Sequence, residues 1–202
     1  MGTENLDLMK MARESLKGNW GLAIGTFLVY FIIMGFLQGM AEYYPMIALG
    51  TLLITGPMAL GLALFSLTIA RDQNARLKQI FDGFNNFGTA LGAYLLIIIF
   101  VLLWMLLLII PGIIAAISYS MTFYIIADDP TIGPLDAIDK SKQMMYGYKL
   151  KFFIMYLMFF GMGLLCILTL GIGFLWLIPF IQVTTAKFYD DIKEGAFIPE
   201  TI

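Results

Sequence analysis

The chain has no histidine and a single cysteine. The first absence removes the commonest metal ligand and general base, and the second excludes an internal disulfide. Charge is scarce too: Asp, Glu, Lys and Arg make up 13% of the 202 residues, about half the share in a soluble domain. Neither sign dominates, since 12 basic residues face 14 acidic ones for a net charge of −2, and that argues against a nucleic-acid binder. There is no glycine-rich phosphate loop, because Gly171-Ile172-Gly173 lies inside an apolar run without the strand and helix such a loop needs. What the chain does have is apolar surface: 60% hydrophobic residues, 15% aromatic, and a mean hydropathy of +0.88. A water-soluble fold could not hide so much, and a disordered segment would need far more charge. The composition is that of a polytopic, all-α membrane protein.

The few charges mark where the chain crosses. Between Gly18 and Ala70 the only one is Glu42, and the segments Gly83–Ala127 (after Asp82) and Phe152–Ala186 carry none. A crossing takes about 20 apolar residues, so the first stretch holds two, from Trp20 to Met40 and from Met46 to Ala70, joined at Glu42-Tyr43-Tyr44-Pro45. The basic residues fall into four groups: Lys10, Arg13 and Lys17; Arg71, Arg76 and Lys78; Lys140, Lys142, Lys149 and Lys151; Lys187 and Lys193. Cytoplasmic loops are enriched in Lys and Arg, so every intervening stretch is expected to cross an even number of times. The second stretch then reverses at Pro111-Gly112 and the third near Gly171-Ile172-Gly173, both turn signals. The expectation is six transmembrane helices with both termini inside. The second and third outer turns are so short that re-entrant hairpins stay open as an alternative. The first crossing is preceded by basic residues, but its apolar core is too long for a signal peptide.

An internal repeat is expected as well. Gly18, Gly83 and Gly147 are spaced 65 and 64 residues apart, each after a polar amphipathic stretch and before an apolar hairpin. Each hairpin ends in a charged doublet: Arg71-Asp72, Asp128-Asp129, Asp190-Asp191. The units run over about 3–72, 73–129 and 130–191, with a tail at 192–202, all in one membrane domain. In the second amphipathic stretch, Leu77, Ile80, Phe81, Phe84 and Phe87 follow a helical stripe that Arg76, Lys78 and Asp82 avoid. Such a helix is suited to lie at the cytoplasmic interface.

Candidate chemistry is thin. Cys166 sits in an apolar run and reads as a core filler. The acidic doublets are the one cluster that could ligate a cation, although Asp128-Asp129-Pro130 reads equally as a helix stop. Glu42 belongs to an outer loop, so a charge carrier inside the membrane is not evident. The intramembrane hydroxyls, among them Thr51, Thr55, Ser66, Thr68, Ser118, Thr122, Thr184 and Thr185, are expected to bond to their own helices or to neighbours. Helix breaks are expected at Pro57, Pro111, Gly112 and Pro179. Contacts to anionic lipid or to a protein partner are expected at Arg71, Arg76, Lys78, Lys140, Lys142, Lys149 and Lys151. No cofactor and no nucleic acid is expected.

Several stretches carry a resemblance: Gly56-Pro57-Met58-Ala59-Leu60-Gly61, Ile80-Phe81-Asp82-Gly83-Phe84, Trp104 through Ile110-Pro111-Gly112-Ile113, Tyr119-Ser120-Met121, Asp128-Asp129-Pro130, and Ser141-Lys142 through Met145-Tyr146-Gly147. Together the chain resembles, from about Leu6 to Asp191, a bacterial integral-membrane family known as domain of unknown function 975. The resemblance implies a bacterial inner-membrane protein with several crossings and supplies no activity or catalytic residue. The function expected is non-enzymatic, a scaffold, accessory or envelope-stress protein acting through its cytoplasmic face. A small-solute transporter or channel with its path at the repeat interface is the alternative.

Overall fold

The computed structural model describes residues 3–196, and the side chains of 194–196 are not described. Ile192 and Lys193, expected in a tail, continue the last helix, and the rest of that tail from 197 onward lies outside the described residues. Among the described residues all regular structure is helical: α1 (Asn5–Leu16), α2 (Trp20–Tyr43), α3 (Pro45–Ala70), a 3-10 helix (Leu77–Asn86), α4 (Phe87–Leu107), α5 (Ile109–Ser118), α6 (Thr122–Asp128), α7 (Pro134–Met144), α8 (Lys149–Leu168) and α9 (Phe174–Ala196).

Among the described residues, five helical segments are long and apolar enough to cross a membrane: α2, α3, the 3-10 helix with α4, α5 with α6, and α8. α9 falls short because Lys187, Asp190 and Asp191 interrupt its apolar part. Prolines open α3 and α7, where a fixed φ fits the first turn and the missing N–H bonds nothing. Asp136 and Lys142 then sit at the matching ends of the α7 dipole.

The chain forms three helical hairpins, and their second arms make the centre. In α3 and in Ile109–Asp128, 61% and 50% of the apolar window is buried, against 17%, 11% and 17% for α2, the 3-10 helix with α4, and α8. α3 packs against α9 and α6, and Phe65, Ile69, Ile125, Ile126, Phe188 and Tyr189 fill the space there. α1 and α7, expected to lie at the interface, lay their apolar residues on the protein. Leu8, Ala12 and Leu16 are buried where α1 meets α9, and Ala137, Ile138 and Met144 where α7 meets α4 and α6.

The three matched glycines do not share one role. Gly18 and Gly147 take φ of +90° and +81°, a left-handed conformation that ends one helix before the next begins. Gly83 lies inside the 3-10 helix, pressed on α3, where an added Cβ would sit 2.0 Å from the Pro57 carbonyl oxygen. Opposite it, a Cβ on Gly61 would sit 1.9 Å from the Ile80 carbonyl oxygen. The two backbones meet on a pair of glycines, which no side chain at either position could allow. The stripe expected to be α-helical is therefore wound as 3-10. Ile80 is buried on α3, while Phe81, Phe84 and Phe87, three residues apart, stay exposed.

The expected reversal in the second stretch is displaced, and the prolines of α3 and α9 do not end their helices. The reversal expected at Pro111-Gly112 occurs at Leu108; Pro111 falls in the first turn of α5, and Gly112 lets α5 close on Met105. Pro57 and Pro179 lie within α3 and α9, which continue past them. The turn of the third hairpin does fall at Thr169–Gly173, where the Thr169 hydroxyl accepts the Gly173 N–H at 3.0 Å.

The second hairpin carries a break that the sequence did not suggest. Between α5 and α6, at Tyr119–Met121, the helical ladder is interrupted. The Ser141 hydroxyl of α7 closes the gap, donating to the Ser118 carbonyl at 2.8 Å and accepting the Met121 N–H at 3.1 Å, all of it buried.

Candidate functional site

The ends of the three central arms converge. Arg71 follows α3, Asp128 ends α6, and Asp190 lies near the end of α9. These are the first members of the three charged doublets, and they form one network. The Arg71 guanidinium donates to both oxygens of Asp128, at 2.7 and 2.9 Å, and to both oxygens of Asp190, at 2.7 and 3.2 Å. The planar fork of arginine makes this double bidentate grip; an ammonium could not. Asp128 also accepts from the Lys193 ammonium and, at 3.0 Å, from the Tyr189 hydroxyl. Two cations thus balance two carboxylates, and the Asp128 side chain is only 14% exposed. Below the network, the Tyr189 ring stacks on Tyr124 with centroids 5.7 Å apart, and the Tyr124 hydroxyl donates to Gln182 Oε1 at 3.2 Å.

Asp129 and Asp191, second members of their doublets, bond outside this network. Asp129 accepts the N–H and hydroxyl of Thr131, which holds its carboxyl below the ordinary value and fixes the turn into α7. Asp191 accepts from the Lys151 ammonium at 2.8 Å and from the Thr3 N–H at 2.9 Å. Burial alone would push the Asp191 carboxyl up, but Lys151 and Thr3 outweigh it and hold the carboxyl below the usual range. Among the described residues there is no cluster of three or more metal-ligating side chains; Asp128 and Asp190 turn to Arg71.

The expected basic contacts therefore divide. Arg71 and Lys151 are engaged inside the protein, and the Lys151 ammonium also lies 5.2 Å from the centre of the Phe188 ring. Arg76, Lys78 and Lys140 are exposed, without an ion pair among the described residues. Lys142 and Lys149 line one end of a cleft of about 200 Å³ whose other walls are Trp104, Pro111, Ile114, Ala115, Ser118 and Tyr119. Tyr189 and Lys193 were not expected at the junction, because nothing local in the sequence ties them to a carboxylate some 60 positions away.

The intramembrane hydroxyls mostly return to their own helices. Thr51, Thr55, Thr68, Ser118, Thr184 and Thr185 each donate to the carbonyl four residues back, at 2.7–2.9 Å. The buried hydroxyls of Thr26 and Ser66 have no partner among the described residues.

Fold and site together define a helical membrane protein whose three hairpins are tied at one end by an ion network. The chain belongs to the family described as "Protein of unknown function (DUF975)", whose profile matches residues 1–118 and 105–196. No curated protein and no solved structure matches it.

Proposed function

We propose that the protein is a non-enzymatic scaffold or accessory protein of the bacterial inner membrane. Its three hairpins supply six crossings, with both termini and all four basic groups in the cytoplasm. Its exposed basic face, centred on Arg76, Lys78 and Lys140, engages anionic lipid headgroups or the acidic surface of a membrane protein. An envelope-stress role would be one use of such a face.

The observation that carries this reading is the closed junction of the second arms. Where a repeat-interface transporter would place its path, Phe65, Tyr124, Phe188 and Tyr189 are packed, and the Arg71 network lies across the end. A junction tied by four charge-assisted hydrogen bonds supports a rigid platform rather than a gate. The cations left outside it are then free for an external anion.

Two measurements test the proposal. A reporter fused within residues 131–139 should read as cytoplasmic, and an extracytoplasmic result would remove the six-crossing topology. Protein extracted in native lipid particles should be enriched in anionic lipid or carry a stoichiometric protein. Replacing Arg76, Lys78 and Lys140 by Gln should reduce that enrichment, and an unchanged yield would refute the role of the basic face.

A further inference from the structure

The geometry points to the cleft between α4, α5, α7 and α8 as a binding site for one anionic phospholipid, its phosphate between Lys142 and Lys149 and an acyl chain along α5. The inference deepens the proposed lipid-facing role and rests on it for the presence of anionic lipid at this end. Pro111, Ile114, Ala115 and Ser118 recur at i, i+3, i+4 and i+7, so they line one face of α5. Seven residues of helix make a slot about 10 Å long. It is polar at Ser118, Tyr119 and the two lysines, and apolar from Ala115 to Trp104.

That polarity selects the occupant. Neither lysine is ion-paired among the described residues, and the Ser118 hydroxyl is already committed to the Ile114 carbonyl. The free charge at that end is therefore that of the two ammoniums, which suits a phosphate diester. A free phosphate would leave the apolar length unfilled, and an acidic soluble peptide would have to enter between helices apolar enough to span a membrane. An anionic lipid satisfies both ends. Trp104, 47% exposed, closes the apolar end and serves as a native reporter.

The test uses full-length protein with Trp20→Phe and Trp176→Phe, so that Trp104 alone fluoresces, in bilayers of brominated lipid. Brominated phosphatidylglycerol should quench Trp104 with a preference on the order of tenfold over brominated phosphatidylcholine, from two cations near one phosphate. The preference should be lost in Lys142→Gln/Lys149→Gln and kept in Lys142→Arg/Lys149→Arg and in Arg76→Gln/Lys78→Gln. Should the double Gln variant not fold, each single Gln variant is read in the same way and should lose part of the preference. Equal quenching by the two lipids overturns the site, as does a preference that survives loss of both lysines. Abolition of the preference by millimolar inorganic phosphate also overturns it, by assigning the lysines to a free anion. If the preference falls instead with Arg76 and Lys78, the cleft is refuted and the wider basic face stands. If the cleft preference holds while bulk anionic enrichment is indifferent to Arg76, Lys78 and Lys140, the wider face fails and the cleft stands.

Discussion

Arg71 ties the ends of the three second arms, and its removal should carry a measurable cost. Arg71→Ala deletes four hydrogen bonds and leaves Asp128 and Asp190 facing one another with Lys193 alone to balance them. Breaking a fully buried pair costs about 3–5 kcal/mol, and an exposed pair contributes about 0–1 kcal/mol. The side chains here are 32%, 14% and 26% exposed, so the cost lies between those limits, at about 2 kcal/mol. For a chain of this length that is a fall of roughly 4–8 °C in melting temperature. Arg71→Lys keeps the charge but not the fork, and should lose a smaller amount. Unfolding in mixed micelles by added SDS is the assay, with Asp190→Ala as the second arm of a cycle. Because the double variant removes a stranded carboxylate along with its partner, it should be more stable than the sum of the singles by about 1 kcal/mol. Strictly additive losses, or a single loss below about 0.5 kcal/mol, would refute the idea that the network joins the hairpins.

Other outcomes follow from the same packing. Gly61→Ala and Gly83→Ala should each cost about 3 kcal/mol, as overpacking forces two backbones apart, whereas Gly21→Ala and Gly35→Ala, with nothing within 4 Å of the new Cβ, should leave the melting temperature unchanged. Ser141→Ala strands the Met121 N–H and the Ser118 carbonyl and should cost about 1–3 kcal/mol, read by the same SDS titration. The Asp191 contacts predict an acid limit. Its folded-state pKa is depressed, so the stability it contributes is complete above its unfolded value near pH 4 and is lost as the pH falls through the lower folded value. In Asp191→Asn that acid-side loss should shrink, and an unchanged profile below pH 4 would exclude the Lys151–Asp191 pair as its source.

What the sequence made legible was set by local chemistry. An apolar run broken by Glu42-Tyr43-Tyr44-Pro45 can only be two arms with a turn, and Gly171 and Gly173 could hardly be anything but a reversal. The Pro111-Gly112 pair misled because proline is as suitable for the first turn of a helix as for a turn before one. Tertiary contact decided, moving the reversal back to Leu108. The stripe at 77–87 fits 3.6 and 3.0 residues per turn almost equally, and it takes the tighter winding where Gly61 and Gly83 bring the two backbones together. The charged doublets stood out in the sequence, but the partners of Arg71 lie 57 and 119 positions away. No periodicity reports a contact at that range. Two of the three matched glycines turned out to be helix ends, and one a packing contact, a distinction that spacing does not carry.

The Ser141 bridge gives assembly a direction in time. Synthesis runs from the N-terminus, so the segment formed by α5 and α6 leaves the ribosome before α7 exists. Until residue 141 emerges, it carries an open amide at Met121 and an open carbonyl at Ser118, although it is otherwise apolar enough for lipid. Water or another polar group has to satisfy both until α7 supplies the Ser141 hydroxyl. The second hairpin is therefore completed by the third, and a chain stopped at residue 140 would leave it with its gap open.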